Sequence, residues 1–152
     1  MYYIFAIILI LCLAVQVYED LKEGYLFDEV SLALGIVGLG YSVYKSQWLD
    51  ALYGMVFCGC VMGLLYYATQ GGMGLGDVFL SVAIAPWLGF MPSVEMLLLA
   101  FIYGGMVAVV LLLLGRGRKH AIPFGPFLAL GTLTAFFYGE RILYWYFQVV
   151  KQ

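Results

Sequence analysis

Residues 71–80 read GGMGLGDVFL. Gly71, Gly72, Gly74 and Gly76 precede Asp77, and an apolar run follows. A carboxylate is costly in hydrocarbon and glycine loosens helices, so both choices need a physical reason. The rest of the chain sharpens the question. Of 152 residues, 65% are hydrophobic and 11% charged, whereas a soluble domain is roughly half apolar and a quarter charged. That leaves too little polar surface to coat a water-soluble globule. The expectation is an all-α integral membrane protein forming a single membrane domain over residues 1–152. A net charge of -2, spread along the chain, points away from nucleic acid as a partner and leaves membrane lipid as the surroundings.

A span needs about 20 apolar residues to cross some 30 Å of hydrocarbon. Working outward from Asp77, six runs qualify, roughly 2–18, 29–45, 50–69, 77–91, 93–114 and 124–147. They predict a bundle of about six transmembrane helices. The opening MYYIFAIILILCLAV lacks the basic flank of a secretory signal and reads as a retained first span. Pro86 is expected to bend the short fourth run. The sixth holds Glu140 and Arg141, and either ends near Tyr138 or runs through with Arg141 snorkelling. Cys12, Cys58 and Cys60 have no paired-cysteine spacing and read as small core hydrophobes, so no metal or cofactor is expected. Gly104 and Gly105 suit close helix packing within one chain or between copies, which leaves a homo-oligomer open.

Parity then places the loops. Spans two and three leave and regain the side where span one ends. Span four starts there, span five ends there and span six starts there. The segments EDLKEGYLFD, QGGMGLGD and GRGRKHAIPFGP therefore share one face. That face carries Lys22, Arg116, Arg118 and Lys119, against Lys45 and Lys151 on the other, joined by Arg141 where the sixth span runs through. Positive residues favour the cytoplasm, so the shared face is expected to be cytoplasmic.

Most of the acids have plain explanations. Asp28 and Glu29 open span two, Asp50 opens span three and Glu95 opens span five, all as caps or first-turn acids. Glu19 and Glu23 flank Asp20 in a solvated loop. Asp20 and Asp77 differ because parity brings both to the same face. A capping role for Asp77 explains the acid but not its glycines, which permit unwinding, positive φ and close approach of another chain.

If the two acids meet, a reaction class follows. Neighbouring carboxylates share one proton. The ionised partner takes a proton from water, the protonated one gives its proton to a carbonyl oxygen, and a tetrahedral diol collapses with amide cleavage. Asp77 at a helix start and Asp20 at a helix end predict that Asp77 carries more of the negative charge. His120, in a basic turn, reads as a surface residue.

Three segments carry a resemblance. GMGLGD resembles the GxGD motif of intramembrane aspartic peptidases. DLKEGYLFD, Asp20 to Asp28, resembles the first-aspartate segment of prepilin peptidases. IPFGPFLALG, Ile122 to Gly131, resembles the segment opening their last helix. The chain is similar to the prepilin peptidase family in all three, in the right order. The resemblance implies an α-helical enzyme of the inner (cytoplasmic) membrane with its active site facing the cytoplasm. Its partner would be a prepilin or pseudopilin with a short basic leader and a hydrophobic helix, typically cut after a glycine. Asp20 and Asp77 match the catalytic pair, while Gly74, Gly76, Glu23, Pro123, Gly125 and Pro126 are expected to shape the site or bind substrate. Pro123 and Pro126 serve either as a rigid wall or as a plain helix start.

Two departures stand out. Phe79 replaces the family's usual lysine two residues after the second aspartate, and Leu26-Phe27 replaces its Ile-Pro pair. The paired-cysteine extension linked to methylation in larger members is not seen, which implies a peptidase without the methyltransferase activity. Glu19, Asp20, Glu23, Asp28 and Glu29 face Lys22 alone across residues 19–29, suited either to attract a basic leader or simply to solvate helix ends. Two rival readings are a GxGD protease of the presenilin or signal-peptide-peptidase type and an ion-coupled small transporter. Glu19 between Tyr18 and Asp20 speaks against the first, and the lack of a visible inverted repeat against the second.

Overall fold

The computed structural model describes residues 2–24, 28–70, 72–114 and 123–150. Among them six helices follow in order: α1 (Tyr2–Glu23), α2 (Asp28–Tyr44), α3 (Trp48–Ala68), α4 (Leu75–Leu88), α5 (Phe90–Leu113) and α6 (Gly125–Val150). No strand occurs among the described residues. Tyr3–Lys22, Trp48–Ala68 and Phe90–Leu113 are each long and apolar enough to cross a bilayer, and Glu29–Tyr44 and Leu75–Leu88 are shorter apolar helices. The protein is an all-α multi-pass membrane protein.

Its polarity pattern follows from its solvent. Ile7, Leu11, Leu64, Leu112 and Leu113 lie exposed on the outside. In water such a surface would drive association, whereas in a bilayer it meets lipid. Inside, Leu9, Leu13, Leu34, Met62, Leu80, Ile84, Met96 and Leu128 form the core.

The helix α4 lies at the centre, packed against α2, α3, α5 and α6. Its 14 residues rise about 21 Å, well short of the hydrocarbon. The shortfall is harmless because neighbours cover it: every residue from Ala83 to Trp87 is buried. Close approach relies on small residues, as membrane helix pairs generally do. Gly35 of α2 meets Ala83, and Gly38 lies against the Trp87 ring. That indole N–H donates to the Leu34 carbonyl at 3.0 Å, which ties α4 to α2.

One residue separates α4 from α5. Gly89 turns the chain at φ 81° and ψ -173°, a region open essentially to glycine. Asp50 of α3 accepts the Phe90 N–H at 3.2 Å and so caps α5 from a neighbouring helix. A side chain at Gly89 would collide with the Asp50 carboxylate. Gly89→Ala is therefore expected to cost about 1–3 kcal/mol from the backbone alone and to lower the unfolding midpoint in detergent. An unchanged midpoint would show that the turn relaxes freely.

Several expectations need correction. The first helix continues to Glu23 instead of stopping near residue 18, so Glu19 is helical and partly buried, not in a solvated loop. It ends because Gly24 adopts φ +63° and returns its N–H to the Asp20 carbonyl at 2.9 Å. This is a left-handed glycine cap. The fourth helix starts at Leu75, with Gly74 as its cap. The sixth runs unbroken past Glu140 and Arg141. Because α5 already begins at Phe90, Glu95 falls beyond its first turn. It lies buried against Gly139, with neither carboxyl oxygen hydrogen-bonded. Of the three cysteines Cys58 is a core residue and Cys12 packs against the core, whereas Cys60 faces outward.

Candidate active site

Three helix ends meet at one end of the bundle. Asp20 occupies the last turn of α1, Asp77 the first turn of α4, and Gly125 opens α6. Both aspartates are 6% exposed. They are close enough for the charge of Asp20 to act on the Asp77 carboxyl. The α1 and α4 backbones do not approach each other here, and both helices pack on α6.

Asp20 is held by α6. Its Oδ2 accepts the Gly125 N–H at 2.8 Å. The start of α6 shows why that donor is available. The N–H groups of Phe127 and Leu128 both turn back to the Phe124 carbonyl, at 3.0 and 3.1 Å. Pro126 has no N–H to offer. Only Gly125 then points a helix-opening donor outward, and a carboxylate is the partner such a terminus favours. Pro123 precedes Phe124, whose ring packs on Phe101 and Phe127. The two prolines thus frame a helix start that is itself part of the aspartate's surroundings.

Asp77 is placed differently. Its carboxyl lies against the Gly74 backbone, where a Cβ would stand 3.2 Å from Oδ2. Its Oδ1 is buried without a hydrogen-bond partner. Close approach is what Gly74 supplies, since its φ of -66° is open to any residue. Among the described residues around this segment, positive φ occurs at Gln70, at 52°. Gly76 is half-buried in the first turn of α4.

The expected charge bias between the aspartates weighed only the ends of α1 and α4. A third helix end, that of α6, gives its N–H to Asp20 and offsets the α4 terminus that favours a charge on Asp77. Phe79 lies two residues beyond Asp77, about 200° around the helix. It is half exposed and helps line a mostly apolar furrow of about 430 Å³, with Glu29, Ser31, Leu32, Ile36, Met55 and Val82. The departure at Phe79 therefore faces away from the carboxylates. Phe79→Lys is expected to change turnover less than about threefold, within the range of surface substitutions. A tenfold loss would place this position in the reacting face.

A polar residue unmarked by the sequence reading shares the Asp20 face of α1, and it pairs with another on α2. Gln16, one turn earlier in α1, donates from Nε2 to Ser31 Oγ of α2 at 2.6 Å. Their only signal was an amide four residues before the acid. The Glu23 side chain lies outside the described residues, as do Gly71, Leu26, Phe27, Arg116, Arg118, Lys119, His120, Ile122 and Lys151. Among the described residues no three His, Cys, Asp or Glu side chains cluster to hold a metal ion.

Comparison with known proteins bears on this arrangement. The model of the type IV leader peptidase family matches residues 7–109. A prepilin leader peptidase/N-methyltransferase of Legionella pneumophila is 32% identical over 94% of this chain and 53% of its own length. The protein of that name from Burkholderia pseudomallei is 32% identical over 79% of this chain and 41% of its own length. The one from Aeromonas hydrophila is 32% identical over 93% and 51%. This chain thus spans about half the length of the curated relatives it matches. No solved structure matches it.

Proposed function

Because this chain belongs to the type IV leader peptidase family, we propose that it is a membrane-embedded aspartic endopeptidase. Its substrate is a type IV prepilin or pseudopilin-like chain, and the cut removes the short basic leader at the cytoplasmic face. One observation carries the reading: two buried carboxylates from distant segments converge at helix ends around the start of α6.

Asp20 and Asp77 are the catalytic residues. Asp20 has the Gly125 N–H and the α6 terminus to support a negative charge, so it serves as the base. Asp77, with an unpartnered buried oxygen, carries the shared proton. Asp20 takes a proton from water while Asp77 gives its own to the carbonyl oxygen of the scissile bond. The hydroxide adds to carbon and a diol forms. The proton on Asp20 then passes to the leaving nitrogen, the C–N bond breaks, and a diol hydroxyl returns its proton to Asp77. Both residues end as they began.

The cytoplasmic placement is supported by Lys22, Arg116, Arg118 and Lys119 on the Asp20 side. The direct test uses purified protein in detergent or liposomes with a peptide joining a basic leader to an apolar helix. Mass spectrometry should find cleavage at that junction. A substrate left intact, with proton flux across liposomes in its absence, overturns the reading in favour of a transporter.

A further inference from the structure

An amide placed inside a membrane helix is costly unless it is hydrogen-bonded. Gln16 is 1% exposed and Ser31 3% exposed. The Gln16 amide nitrogen donates to Ser31 Oγ across the α1–α2 pair at 2.6 Å, so one amide donor finds its partner on the neighbouring helix. Other buried hydroxyls behave differently. Ser81 bonds to Val78 and Thr132 to Leu128, each within its own helix. Those bonds hold nothing together, whereas the Gln16–Ser31 bond joins two helices.

Its location gives it a consequence. Gln16 and Asp20 are four residues apart and share one face of α1. The last turn of α1 is held above by the Asp20 bond to Gly125 of α6. It is held below by the Gln16 bond to Ser31 of α2. Two fixed points on one face set the helix's rotation, and rotation by a single residue turns the face by about 100°. Asp20 would then leave Asp77.

We propose that Gln16 and Ser31 are positioning residues for Asp20, the amide–hydroxyl link fixing the rotation of α1 that presents the carboxylate to Gly125 and Asp77. The inference rests on the peptidase reading, and its test keeps the two apart. Gln16→Leu has a similar volume without the bond, and Ser31→Ala removes the other partner. Misplacement by about 1 Å costs on the order of 100-fold in rate. Each variant should therefore lose between about 10-fold and 100-fold in kcat with KM unchanged, the unfolding midpoint holding in Gln16→Leu and falling in Ser31→Ala, which takes the acceptor from the buried amide nitrogen. The double variant should lose no more than either single one. Ser31→Thr, which keeps the hydroxyl, should recover most of the rate.

Wild-type kcat in Gln16→Leu overturns the proposal. So does a rate loss in Gln16→Leu that follows a falling unfolding midpoint, since a mere helix staple would do that. If the unaltered protein cleaves nothing, the peptidase reading fails by itself. The carboxyl carbon resonance of labelled Asp20 then decides: a shift in Gln16→Leu supports the link, and an unmoved resonance overturns it.

Discussion

Asp20→Asn and Asp77→Asn should each lower leader cleavage by at least about 1000-fold, the upper part of the range for one acid–base group. The double variant should be no slower than either single one. Asparagine keeps the shape of the side chain but neither accepts the proton from water nor passes one to the carbonyl oxygen. In the proposed mechanism one proton is shared by the pair, so each residue is useless without the other. Losses within such a unit do not add. Folding should survive, since each change replaces a buried carboxyl by a neutral group of equal volume. Equal unfolding midpoints with absent product would locate the defect in chemistry. A variant retaining a tenth of the wild-type rate would remove that residue from the proposed pair.

The six helices were legible because hydrocarbon imposes a simple rule, apolar runs of sufficient length. Their ends were less so, and each miss has a local cause. Glu19, Asp20, Lys22 and Glu23 look like a loop, yet polar residues at a membrane edge remain helical until something stops them. Here the stop is Gly24. Glu95 looks like an opening residue of span five, but the turn at Gly89 lets α5 begin five residues earlier. For the site, counting crossings predicts that Asp20, Asp77 and the start of α6 share one face. The Gly125 N–H had no signature, because every residue except proline has such a donor and only the fold decides which one is spare. The Gln16–Ser31 bond was hidden for a related reason: two polar residues in separate helices show no spacing that marks them as partners. The charge-bias expectation was incomplete, since a third helix end also enters the electrostatics through the Gly125 N–H.

Gly125→Ala should separate stability from activity. A Cβ at this position would stand 2.6 Å from Asp20 Oδ2, closer than real Cβ atoms come to any neighbour. Something must move, and the mobile partner is the carboxylate. The α6 backbone is fixed by the Phe124 carbonyl bonds, and α1 ends in the Gly24 cap. Asp20 therefore swings off the Gly125 N–H and loses its 2.8 Å bond. A hydrogen bond to a charged group contributes about 1.5–3 kcal/mol. Against this, alanine favours a helix over glycine by up to about 1 kcal/mol, so net destabilisation should be small. Activity should fall by about 100-fold, because the base no longer stands where water is activated. Gly131→Ala provides the contrast. Its Cβ would stand 2.5 Å from the Met96 carbonyl oxygen, which is backbone and does not swing away. That variant should lose stability and activity together. Wild-type cleavage by Gly125→Ala would show that the Asp20 contact with α6 plays no part in the reaction.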